Sequence, residues 1–218
     1  MSHTLKELMQ QTEGNETRES FVLQNSKLLK VRLTDEIYCR MGSMIAYKGD
    51  IKFESTSGGL GRWLKKAVTG EGISLMKASG QGDLYLAHQA ADITVLRLNA
   101  ETMFVEGRHL LAFEKSVDWD VTVIRGAGVA SGGLFTCRLT GTGYVAITSH
   151  GPLVVLDAPV VVDPDSVIGW SEGLVPQVKT DVNMKTLLGR TSGETFQLYF
   201  DGYGKVLVQP DEPVPDHR

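Results

Sequence analysis

Five histidines, two cysteines and a scatter of carboxylates are the residues of this 218-residue chain with the chemistry for catalysis or metal binding. A zinc-binding helix needs two histidines about one turn apart, and His3, His88, His109, His150 and His217 contain no such pair. His88, His109 and His150 could meet Asp157 or Asp163 only if the fold brought them together, so no metal site is expected. There is no Gly-x-Ser-x-Gly elbow, and Cys39 and Cys137 each lie in an apolar run, where a thiol packs instead of reacting. Two cysteines make neither a disulfide framework nor a four-cysteine zinc site, and both are read as reduced packing residues. Asp83, Asp118, Asp120 and Glu194 fall at turns or strand ends and read as solvated. The segment Gly126-Ala-Gly-Val-Ala-Ser-Gly-Gly133 has the look of a phosphate-cradling loop but lacks the Gly-Lys-Ser/Thr ending. The residues after it, Leu134-Phe-Thr-Cys-Arg-Leu139, have strand character where a dinucleotide fingerprint needs a helix. No catalytic residue and no cofactor is expected, and the chain is read as non-enzymatic.

Interaction chemistry is concentrated in one stretch, Ser55-Thr-Ser-Gly-Gly-Leu-Gly-Arg-Trp-Leu-Lys-Lys-Ala-Val-Thr-Gly-Glu-Gly72. Glycine hinges flank a short amphipathic piece in which Leu60, Trp63, Leu64, Ala67 and Val68 recur near helical spacing. Arg62, Lys65 and Lys66 supply its charge, and no acidic residue stands among them. The simplest reading is a helix capping the open end of a barrel or sandwich. A partner surface formed by Arg62, Trp63, Lys65 and Lys66 is the functional reading, with a weak contact to an anionic membrane as its lesser form.

The elements that must position such a surface are strands. Twenty-four glycines argue against a mostly helical chain, and 42% hydrophobic with 22% charged residues is ordinary for a globular core. A net charge of −4 argues against dedicated nucleic-acid binding. Three Gly-x-Gly units, Gly80/Gly82, Gly141/Gly143 and Gly202/Gly204, follow one another at a constant spacing of 61 residues, the mark of a triplication. Before them stand Met76 and Ala78, Cys137 and Leu139, Leu198 and Phe200. After them stand Leu84 and Leu86, Val145 and Ile147, Val206 and Val208. Apolar residues at every second position are strand residues. The spacing predicts a hairpin centred on each unit, with Ala78 opposite Leu84; one long strand with a glycine bulge is the competing arrangement.

A second motif precedes each glycine unit: Tyr38-Cys-Arg-Met-Gly-Ser-Met-Ile-Ala-Tyr47, Phe104-Val-Glu-Gly-Arg-His-Leu-Leu-Ala-Phe113 and Val161-Val-Asp-Pro-Asp-Ser-Val-Ile-Gly-Trp170. Each runs from an apolar start through a polar turn to two aliphatic residues, a small residue and a ring. Tyr47, Phe113 and Trp170 are expected to anchor the core, with ligand stacking as the alternative. The chain therefore divides into a polar tail at 1–20, one all-β domain at 21–209 and a proline- and charge-rich tail at 210–218. Within the domain three pseudo-symmetric repeats, about 21–86, 87–149 and 150–209, are expected to share one core around a pseudo-threefold axis. One or two short helices are expected in the connections, in Leu60–Thr69 and in Lys179–Arg190. No basic-then-apolar leader and no spanning apolar run is present, so a cytoplasmic location is expected.

Several stretches together resemble a known family. Asn25-Ser-Lys-Leu-Leu-Lys-Val31, Gly42-Ser-Met-Ile-Ala-Tyr47, Lys65-Lys-Ala-Val-Thr-Gly-Glu-Gly72, Gly132-Gly-Leu-Phe135, Gly141-Thr-Gly-Tyr-Val-Ala-Ile147 and Ser192-Gly-Glu-Thr-Phe-Gln-Leu198 are similar to the bacterial branch of the altered-inheritance-of-mitochondria proteins, a mitochondrial biogenesis family. The resemblance implies a fold of the double-stranded β-helix class, grouped with the tryptophan RNA-binding attenuation protein. It carries no catalytic motif. The expectation is a cytoplasmic, non-catalytic scaffold or protein-interaction module with an unidentified protein partner and a tendency to form homo-oligomers. The alternatives are a small-ligand-binding barrel gated by residues 55–72 and a peripheral membrane protein.

Overall fold

The structure, a computed structural model, describes residues 18–55, 74–124, 134–180 and 196–210. They form fifteen strands: β1 (Phe21–Asn25), β2 (Leu28–Leu33), β3 (Glu36–Arg40), β4 (Met44–Ser55), β5 (Leu75–Leu86), β6 (Asp92–Glu106), β7 (Leu110–Glu114), β8 (Val117–Ile124), β9 (Leu134–Ser149), β10 (Val154–Asp157), β11 (Val160–Val162), β12 (Val167–Ser171), β13 (Gln177–Thr180), β14 (Phe196–Phe200) and β15 (Lys205–Val208). The chain is all-β with a large antiparallel sheet, and no helix of seven or more residues occurs among the described residues. The short helix expected in Leu60–Thr69 lies outside the described residues, and so does the one expected in Lys179–Arg190 except for Lys179 and Thr180, which are strand residues of β13.

Alternation decides which residues go inside. All twelve apolar residues flanking the Gly-x-Gly units are buried except Met76, which is half-buried and packs against the core. Their arrangement differs from the hairpin expected. β5 and β9 run straight through their glycines as single strands of 12 and 16 residues. In the third segment β14 and β15 flank Gly202 and Gly204 but pair with other strands and not with each other. The glycines are crossing points. Gly82 has φ +155°, and a Cβ there would meet the Lys48 carbonyl oxygen at 1.9 Å, because β4 lies directly alongside.

Along one edge of β5, β3 pairs with Leu75–Ser79 and β2 with Gly82–Leu86, while β4 follows the other edge throughout. Around β9, β6 takes one edge while β7 and then β8 take the other. Around β14 and β15, β11 and β10 take one edge while β13 and β12 take the other. Two further pairings join these groups into one body: β3 with β7, and β6 with β12.

The buried side chains form three adjoining clusters in chain order, where one shared core was expected. The first gathers Leu29, Val31, Leu84 and Leu86 and takes in Leu111 and Ala112 from β7. The second is built on Val105, Leu110, Phe113, Val145 and Ile147, and the third on Val167, Trp170, Phe200 and Val206. Edge-to-edge joining explains this: each group closes over its own apolar faces and lends a few residues to its neighbour. Cys39 and Cys137 are fully buried free thiols, and burial pushes both up to about 12, which keeps them protonated and inert.

Candidate functional site

Arg62, Trp63, Lys65 and Lys66 lie in 56–73, outside the described residues, as does the Gly126–Gly133 segment. Two other features draw attention: a buried polar cluster at the polar turn of the second ten-residue motif, and exposed apolar residues gathered around β4 and on β10 and β11.

The polar cluster starts where β6 ends in Glu106 and a single 3-10 turn, Gly107–His109, leads into β7. Glu106 is 8% exposed, and its Oε2 accepts the Nε–H of Arg108 at 2.6 Å. Burial raises the Glu106 carboxyl to about 8 against the opposing pull of Arg108. His109 is driven down to about 3, mainly by burial and then by Arg108, so its ring is neutral. Its Nδ1 stands 2.9 Å from the Thr148 carbonyl, which can only accept, so Nδ1 carries the proton. Nε2 lies 3.3 Å from Glu106 Oε2 without a hydrogen bond, and with a neutral ring the contact is not an ion pair.

A carboxyl beside an imidazole is acid–base equipment, but here both groups are enclosed and point into the protein. The cluster works as a clamp between segments. Arg108 Nη2 donates to the carbonyls of Pro164 and Asp165, both at 3.2 Å, and Arg108 Nη1 meets Asp165 Oδ1 at 3.3 Å. Arg40 Nη2 and Nε likewise donate to the carbonyls of Gly107 at 2.7 Å and Leu110 at 3.2 Å. Sequence reading passed over this clamp. Its signal is the polar trio Glu106, Arg108 and His109 inside a motif otherwise recognised by its apolar ends. Among the described residues no group of three or more histidine, cysteine or carboxylate side chains could hold a metal ion.

The edges emerge from the three rings expected in the core. Phe113 and Trp170 are buried, at 0% and 2% exposure, but Tyr47 is 49% exposed, which corrects the expectation for that residue. What covers a ring is the strand on its far side. Tyr38 of β3 stacks on Phe113 with centroids 5.3 Å apart, and Phe104 of β6 stacks on Trp170 at 5.5 Å. Tyr47 has no such strand among the described residues: β4 is paired by β5 alone. Met41, Met44 and Ile45 beside it are exposed as well. Val154 and Val155 of β10, which ends the twelve-stranded order, are exposed, as is Val161 of β11, the outer strand of a separate three-stranded sheet β11-β14-β13, where β11 is paired by β14 alone. Seven of the nine exposed large hydrophobic residues thus sit on β4 and the turn before it or on β10 and β11.

No described helix is long and apolar enough to cross a membrane. Comparison with curated proteins gives no match. Among solved structures, a crystal structure of a protein from Streptococcus pyogenes is similar over 88% of this chain and 92% of its own, with a TM-score of 0.69 and 21% sequence identity, a level that establishes a shared fold. The family profile described as Mitochondrial biogenesis AIM24 matches residues 21–211, nearly the whole described β body, and the chain belongs to that family.

Proposed function

We propose that this protein is a non-catalytic, self-associating scaffold made of three pseudo-symmetric β units, about 21–86, 87–149 and 150–209, of the double-stranded β-helix class. The observation that carries the reading is one strand register used three times. Tyr47 lies opposite Leu84, Phe113 opposite Val145 and Trp170 opposite Val206, each ring facing the residue four places after its unit's first glycine. Each of these pairings also shifts register at the same place, between Met44 and Ala46, Leu110 and Ala112, and Val167 and Gly169.

Units arranged in tandem leave a first unit without a predecessor and a last unit without a successor. The exposed apolar residues gather at those two ends, where self-association would cover them. Two fully buried free cysteines suit a reducing, cytoplasmic setting. The scaffold also offers its connections, including Arg62, Trp63, Lys65 and Lys66, to a further protein partner.

Native mass spectrometry of the gently purified protein tests the reading. The expected spectrum is an integral multiple of 23.8 kDa with no added mass. A bare monomer at micromolar concentration would overturn self-association, and a reproducible small extra mass would move the assignment to a ligand-binding barrel.

A further inference from the structure

We propose that the free edge of β11 pairs antiparallel with the free edge of β4 in a second copy of this chain, Val161 opposite Tyr47, so that copies join head to tail. The proposal rests on the three-unit reading above and adds to it the surface, the partner and the register.

Two seams inside the chain supply the pattern. Where β3 meets β7, Ile37 lies opposite Glu114, Tyr38 opposite Phe113 and Cys39 opposite Ala112. Where β6 meets β12, Met103 lies opposite Ser171, Phe104 opposite Trp170 and Val105 opposite Gly169. In both seams the first residue of one ten-residue motif faces the last residue of the next. The third motif begins at Val161, and among the described residues no strand faces it in this way. The first motif ends at Tyr47, and among the described residues no strand faces it on that side either. Continuing the register puts Val161 opposite Tyr47, Val160 opposite Lys48 and Val162 opposite Ala46.

Three observations at the unmatched ends agree with such a seam. Val161 is 46% and Tyr47 49% exposed, whereas Phe113 and Trp170, the rings covered at the internal seams, are buried. A β-branched side chain set across from an aromatic ring is a favourable cross-strand pair. The third observation concerns the residue just before each ring, which is Ala46, Ala112 or Gly169. At the internal seams smallness has a visible cause: a Cβ on Gly169 would meet the Phe104 carbonyl oxygen at 2.4 Å, and Ala112 is fully buried opposite Cys39. Ala46 is equally small but exposed, with no strand on that side among the described residues. It has the shape of a seam position whose partner strand is absent among the described residues.

Each copy would carry one edge of each kind, so the contact is heterologous and builds a closed ring or a filament.

Complementation between two variants tests this directly. Tyr47→Asp blocks the β4 edge and leaves β11 intact; Val161→Asp does the reverse. Wild type is expected to give a multiple of the chain mass by native mass spectrometry. Each variant alone is expected to be monomeric, and an equimolar mixture is expected to give a dimer with one chain of each kind. Formation of that dimer also shows that both variants are folded, and Tyr47→Ser with Val161→Ser repeats the experiment if an aspartate variant loses its thermal transition. A wild-type assembly that both variants leave unchanged would overturn the seam while self-association stands. A variant that still assembles alone would mean like edges pairing with like, which also overturns it. A monomeric wild type would fail the seam and the scaffold reading together.

Discussion

Glu106 and His109 show how burial sets charge at single residues, and the signs of their two shifts differ. Glu106 is raised from 4.5 to about 8, so the fold holds its proton more tightly than the unfolded chain does. That stabilisation is complete below about 4.5 and is lost as pH rises towards 8. His109 is lowered from 6.5 to about 3, so its contribution runs the other way and grows as pH rises from 3 to 6.5. The two oppose each other between 4.5 and 6.5, and from 6.5 to 8 Glu106 acts alone. Wild type is therefore expected to lose on the order of 1–2 kcal/mol across that upper window. Glu106→Gln, which keeps an oxygen for Arg108 but carries no charge, should flatten the loss in urea titrations; parallel curves for the two proteins would refute the assignment. The motif rings give a second contrast. Trp170→Ala is expected to cost about 3–5 kcal/mol, because it empties the third cluster. Tyr47→Ala should change the stability of the isolated chain by less than about 0.5 kcal/mol. Composition could not separate these two rings, since each ends the same motif and only the presence of a covering strand distinguishes them.

At the level of elements, the glycine units join the parts of the fold. β4 passes so close to β5 that Gly82→Ala must both adopt a positive φ and displace the Lys48 carbonyl. The expected cost is about 1–3 kcal/mol, read as a lower urea midpoint without a change of slope. The 61-residue spacing and the alternation around it were legible in the sequence, and all but Met76 of the flanking apolar residues are buried. The direction of the chain through the glycines was not legible. A hairpin and a through-running strand both keep every second residue on one face, and glycine at the first and third positions suits either. What separates them is the strand alongside: β4 pairs with β5 from Met44–Leu86 to Ser55–Met76, a partnership that no local pattern encodes.

For the whole molecule, the two open ends make stability depend on assembly. If copies pair through their edges, mass action stabilises the folded chain, and Tm should rise with protein concentration. Calorimetry over a hundredfold range should show this for wild type and a constant Tm for Tyr47→Asp; a constant wild-type Tm would argue against coupling between folding and assembly. The sequence by itself determined the all-β class, the burial of both cysteines and the family, because these follow from alternation, turn chemistry and motif content along the chain. The tertiary structure decided the passage of β5 and β9 through their glycines, the division of the interior into three adjoining clusters, the clamp around Glu106 and the exposure of Tyr47. Each of these depends on which strand lies beside which, and strand neighbours dozens of residues apart are chosen by packing across the sheet, a choice that leaves no period in the sequence.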